Sequence, residues 1–129
     1  TLARDHDVVI IDNLATGRRE NIEHLLGHPR VTFIEGSITD LDLLMETFPG
    51  ADGIFGGHPF RAPVGEDPLA SNEANVTGTV NVLVAAKDCE VPAVVAASSS
   101  SVYGDILFQD RETFGFTFVL HHPPEVRKT

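Results

Sequence analysis

The run Ser98-Ser99-Ser100-Ser101-Val102-Tyr103-Gly104-Asp105 gathers four hydroxyls, a phenol and a carboxylate directly after the apolar stretch beginning at Pro92. A strand that ends in small hydroxyl residues delivers them to the carboxyl edge of an open α/β sheet, where such sheets bind ligands. Asp12 closes an earlier apolar run. A carboxylate there accepts hydrogen bonds from both hydroxyls of a ribose and repels a 2′-phosphate. Asn75 lies in a helical stretch, where Asn is a mediocre helix former, and Gly78 in the same stretch costs ~1 kcal/mol relative to Ala. Two poor helix formers so close together call for a reason beyond helix propensity. Each residue also has a plainer reading: a strand-end Asp capping a turn, an Asn tucked against a loop carbonyl, and a serine-rich loop.

These side chains need elements to hold them at one rim, and the pattern supplies them. Val8-Val9-Ile10-Ile11 is a continuous β-branched run of the kind found in parallel strands covered on both faces. Thr16 and Gly17 break the chain. Glu20 to Leu26 then has helical spacing, closed by Gly27 and Pro29. Val31 to Glu35 reads as a second strand. Asp40 reads as the N-cap of a helix whose face is Leu41, Leu44, Met45 and Phe48. Gly53-Ile54-Phe55 is a short third strand, followed by a Gly/Pro-rich loop over 56–67. Asp67-Pro68 starts a helix running to about Cys89, with Val76, Val80, Leu83 and Val84 expected inward. Val94 and Val95 belong to a fourth strand. Strands alternating with helices in this way predict a doubly wound, Rossmann-like parallel α/β sheet.

Composition narrows the function. The 129 residues carry a net charge of −10 and only two lysines, which argues against nucleic acid, because phosphate backbones need clustered Lys and Arg. An acidic protein still binds nucleotides through helix N-termini and backbone N–H groups. No apolar run approaches the ~20 residues of a membrane span, and we expect no secretory leader. The single Cys89 forms no internal disulfide, which fits a cytoplasmic location. The histidines have no convincing metal spacing, so no metal is expected.

Asp12-Asn13-Leu14, Asn75-Val76-Thr77-Gly78-Thr79 and Ser98 to Asp105 together resemble the extended short-chain dehydrogenase/reductase family, in particular its NAD-dependent nucleotide-sugar epimerases of the UDP-glucose 4-epimerase type. The resemblance covers residues 1–105, read as a partial NAD-binding domain, and leaves 106–129 as a divergent tail. It implies that Asp12 selects NAD over NADP and that Asn13, Thr16, Gly17 and Ser98 lie along the cofactor. Ser37-Ile38 would stand at the adenine, where relatives have Asp-Ile. The Asn75 amide would reach the cofactor. Ser99 would orient the hydroxyl of a UDP-hexose as hydride passes from the sugar C4. Dehydratase relatives carry Asp-Glu where Ser100-Ser101 stand, so epimerisation is favoured over water elimination.

Two family motifs are missing from the sequence. Tyr103 is the only tyrosine, and Leu107 stands where a Tyr-x-x-x-Lys pair would place lysine. No glycine precedes Gly17, so there is no Gly-x-x-Gly-x-x-Gly turn before the strand ending at Asp12. The expectation is a chain truncated at both ends, with little or no turnover. The parent fold has a strand between those ending at Asp12 and Phe55. Its absence leaves two rows of unpaired backbone groups to be satisfied. Residues 114–120, or the same edge of a second chain in a homodimer, are expected to fill that gap. The rivals are a non-catalytic dinucleotide-binding or protein-interaction module and, more weakly, a flavodoxin-like or receiver-like domain.

Overall fold

The computed structural model describes residues 2–15, 17–57, 67–97 and 117–121. The strands are β1 (Asp7–Asp12), β2 (Val31–Glu35), β3 (Gly53–Gly56), β4 (Val94–Ala96) and β5 (Thr117–His121), in the spatial order β2-β1-β5-β3-β4. β1 runs parallel to β2, and β3 parallel to β4. The centre of the sheet belongs to β5, antiparallel to both flanking strands: Val119 stands opposite Val9 on one side and Ile54 on the other. The position between β1 and β3 is therefore occupied by a strand of this chain, overlapping the 114–120 segment expected there.

The helices follow the caps written in the sequence. Helix α1 is a single turn (Glu23–Leu26) after a 3-10 turn, Arg19–Asn21. Helix α2 (Leu41–Thr47) starts at Asp40, whose carboxylate accepts the Leu43 N–H at 3.1 Å. Helix α3 (Pro68–Asn72) starts at Asp67, which accepts the Ala70 N–H at 2.9 Å and is followed by proline at the first turn. A π-helical stretch, Glu73–Thr77, joins α3 to α4 (Gly78–Asp88) without a break.

β1 is covered on both faces, as its composition predicts. Ile11 enters a core with Leu44, Phe48, Ile54, Val82, Ala85 and Ala86, built from α2, α4 and the sheet. Val8 and Ile10 face the other way, against Ile22 beside α1. Leu44 and Phe48 are fully buried, whereas Met45 is 37% exposed, so the apolar face of α2 is narrower than expected.

The inward face expected for the long helix is wrong. Val76, Val80, Leu83 and Val84 are all substantially exposed, while Gly78, Val82, Ala85 and Ala86 are buried. Two physical causes act together. The π stretch inserts an extra residue per turn and rotates the face that follows it. The α4 layer also lies close to its neighbours, so small residues take the inner positions: a Cβ on Gly78 would stand 2.6 Å from Cδ1 of Ile38.

Candidate functional site

Strands β1, β3 and β4 all end at one edge of the sheet, and the chain crosses from the β1–β2 pair to the β3–β4 pair between them. In open α/β sheets this switch point is the ligand crevice. On its β1 side stands Asp12, 8% exposed. Its carboxylate accepts the Leu14 N–H at 2.6 Å, closing a tight turn that holds Leu14 in the left-handed region at φ 55. Such a conformation costs a branched residue about 1–2 kcal/mol. Asn13 closes the next turn by accepting the Ala15 N–H at 3.1 Å. Gly17 folds back over the acid, since a Cβ there would lie 3.4 Å from Oδ2 of Asp12. Arg19 turns away, 3.8 Å from Glu35 and stacked over Phe33, on an exposed surface where such pairs contribute little.

Burial raises the pKa of Asp12, and the Leu14 N–H only partly opposes it. A carboxyl whose pKa is raised by folding stabilises the fold below its unfolded pKa, and that contribution is lost as pH rises through the folded value. Asp12→Asn should therefore raise the melting temperature at neutral pH and flatten the decline in stability above the usual carboxylate range. Melting curves between pH 4 and 8 test this. A variant equally stable or less stable at pH 7, with the slope unchanged, would show that the carboxylate carries no burial cost.

The loop after β2 joins Asp12 to the rest of the site. The Gly36 N–H donates to the Asp12 carbonyl at 3.1 Å. Ser37 and Thr39 then form a compact turn, their hydroxyls 2.8 Å apart and the Thr39 N–H donating to Ser37 Oγ at 3.2 Å. The Ser37 hydroxyl is thus engaged within its own loop. Ile38 projects onto Gly78 and helps line a cleft of about 180 Å³. Its other walls include Gly56 at the end of β3 and Gly57 after it, Asn75 and Thr79 of the helical segment, and Ala96 at the end of β4. Asn75 lies in the π stretch; its side-chain amide donates to Ser71 Oγ at 3.3 Å, and its backbone carbonyl accepts the Thr79 hydroxyl at 2.6 Å.

The structure thus brings Ile38 and Asn75 to one cleft and puts Asp12, Asn13, Gly17 and Ser37 on the same sheet edge. The Asp12 side chain does not line the cleft itself. Thr16, Ser98, Ser99, Ser100, Ser101, Tyr103 and the loop over 58–66 lie outside the described residues. Gly36, Thr39 and Asn81 were missed from sequence, and Thr79, quoted within the 75–79 motif, was given no role of its own. Asn81 carried the same signal as Asn75, an amide in a helix interior where Asn is a mediocre former. Among the described residues, no helix is long and apolar enough to cross a membrane.

Known proteins have a similar fold. UDP-N-acetylglucosamine 4-epimerase of Methanobrevibacter ruminantium superposes with a TM-score of 0.72 at 29% identity, over 88% of this chain and 37% of its own. The dTDP-glucose 4,6-dehydratase DesIV of Streptomyces venezuelae, solved as a double mutant with NAD bound, gives 0.68 at 31% identity, over 80% of this chain and 33% of its own. By sequence, the low-salt glycan biosynthesis protein Agl12 of Haloferax volcanii is 36% identical across 79% of this chain and 34% of its own length. A UDP-glucose 4-epimerase of Lacticaseibacillus casei is 32% identical across 81% of this chain and 31% of its own. The chain spans about a third of the length of these two relatives. The profile of the NAD dependent epimerase/dehydratase family matches residues 1–119. Rossmann-like topology, an acid closing β1 and a sequence match over nearly the whole chain agree, and the chain belongs to the NAD-dependent epimerase/dehydratase family.

Proposed function

We propose that this chain forms the dinucleotide-binding part of an NAD-dependent enzyme acting on a nucleotide sugar, of the UDP-glucose 4-epimerase type. The observation that carries the reading is the buried Asp12 carboxylate on the same sheet edge as the cleft lined by Ile38 and Asn75. The donor set fits the cofactor. Asp12 offers acceptor oxygens for both ribose hydroxyls, and its charge repels a 2′-phosphate. Ile38 gives an apolar surface for the flat base, and Asn75 supplies polar contact at the cleft wall. A cleft of about 180 Å³ suits one ring of the ligand, so the remainder runs along the open edge.

NAD, when bound, supplies a hydride acceptor for the sugar carbon and returns the hydride afterwards. The chain's own residues bind and orient. Asp12, Asn13, Thr16, Gly17, Ser37, Ile38, Asn75 and Ser98 hold the cofactor, and Ser99 donates or accepts at the hydroxyl of a UDP-hexose. The only tyrosine, Tyr103, has Leu107 four residues on, so these 129 residues bring no lysine-assisted phenol to take the hydroxyl proton. Binding without appreciable turnover is the expected behaviour, the same as for a non-catalytic dinucleotide-binding module. The lone cysteine fits a reducing cytoplasm.

Calorimetric titration with NAD and NADP tests the reading. NAD should bind, and NADP about tenfold or more weakly, because the Asp12 charge faces its extra phosphate. Asp12→Asn should narrow that preference. Equal binding of both cofactors by the unsubstituted chain, or binding of neither, would overturn the reading. A parallel assay with UDP-glucose and NAD is expected to show no epimerised product.

A further inference from the structure

The loop 36–39 is tied to the rest of the site by one side chain with no part in the reading above. Asn81, on α4, reaches across the helix layer, and its Nδ2 donates to two successive carbonyls, Ile38 O at 3.3 Å and Thr39 O at 3.0 Å. Its nearest competitors for that job are weaker. Ser37 and Thr39 bond to each other within the turn, and Gly36 bonds to β1 rather than to the helix. Ile38 itself rests on Gly78, which offers a surface but no hydrogen bond. A primary amide is one of the few groups with two donors on one atom, and here it serves two carbonyls that face a helix rather than a strand.

We propose that Asn81 is a positioning residue of the nucleotide site. By holding the Ile38 and Thr39 carbonyls against α4, it fixes the Ile38 side chain as a wall of the cleft and keeps the loop in line with Asp12. It rests on the nucleotide reading above for the ligand, but not for the anchoring. Asn81 does not line the cleft, so any effect on binding travels through the loop.

The test uses the full chain in three forms: Asn81→Ala, which removes both donors; Asn81→Ser, which restores one hydroxyl donor; and Asn81→Asp, which sets a carboxylate against two carbonyl oxygens. Two readouts are taken, the Ile38 δ1 methyl signal in a carbon–proton NMR spectrum and NAD affinity by calorimetry. The Ala variant should shift the Ile38 methyl signal and weaken NAD binding about tenfold, as the loss of well-placed hydrogen bonds allows. Asp should weaken binding further and Ser less than Ala. Melting temperature provides the control. A merely structural role would lower it in step with affinity, whereas positioning orders affinity as Asn, Ser, Ala, Asp irrespective of melting temperature. An unmoved Ile38 methyl, or NAD affinity unchanged in the Ala variant, would overturn the proposal. Failure of the unsubstituted chain to bind NAD would sink the nucleotide reading and with it the effect on binding. The Ile38 methyl shift in the free protein would still decide whether Asn81 anchors the loop.

Discussion

Val119→Pro is expected to unfold the sheet as a whole rather than fray one strand. Val119 stands at the middle of β5, opposite Val9 and Ile54. Proline removes the backbone N–H and is tolerated within sheets only at edges, strand starts or bulges. Each backbone group left unsatisfied costs about 1–3 kcal/mol, and both neighbouring strands lose register with the damaged one. The total should reach about 3 kcal/mol or more, a large share of the 5–15 kcal/mol typical of a folded domain. Hydrogen exchange should show Ile10 and Ile54 losing protection together, because among the described residues β5 is the only strand paired to both β1 and β3. A variant with an unchanged urea midpoint, or with protection lost on one side only, would show that β5 does not hold the centre.

Phe48→Ala has the second largest expected effect. Phe48 follows α2, its N–H bonded to the Leu44 carbonyl at 2.9 Å, and its ring is fully buried. It sits among residues of β1, β3 and α4, so it joins the two halves of the sheet from one face as β5 joins them in plane. Removing a buried Phe ring costs roughly 3–5 kcal/mol through lost transfer energy and the cavity left behind. Met45→Ala on the same helix, at 37% exposure, should cost less than about 1 kcal/mol. Denaturant midpoints of the pair provide the check, and similar losses for both would mean the core is not centred on Phe48.

Much of the fold was legible because it is written in local chemistry. Asp40 and Asp67-Pro68 mark helix starts through groups only a few residues apart, and both caps form. The unbroken run Val8 to Ile11 announces a strand buried on two sides, and it is. The long helix was not legible in the same way. It is apolar around much of its circumference, so periodicity alone does not choose among Val76, Val80, Val82, Leu83 and Val84, and the π stretch that turns the face has no simple sequence signature. Asn75 and Gly78 held the better clue, two poor helix formers close together, and Gly78 does turn inward against Ile38. The occupant of the sheet centre could be posed as a question from the missing strand, but its antiparallel sense depends on pairing between distant segments.

At the site, Asp12 could be tied to the sheet edge because it closes a strand, whereas Asn75, inside a helix, was tied to it through the family resemblance. Asn81 could not, because its partners, the carbonyls of Ile38 and Thr39, lie some forty residues away and belong to a loop. A backbone carbonyl has no signature in the sequence. The residue that holds a loop is therefore harder to find than the residue the loop presents.

The strand at the centre of the sheet is the last in sequence among the described residues, and Asp7 must wait for His121. Contacts this far apart along the chain make folding slow, because the loop must close before any pairing offsets its entropy. During that interval β1 and β3 each present an open row of N–H and C=O groups, the template on which strangers stack into aggregates. Recovery from denaturant should therefore fall steeply as protein concentration rises, and dilution or a chaperone that shields such edges should improve the yield.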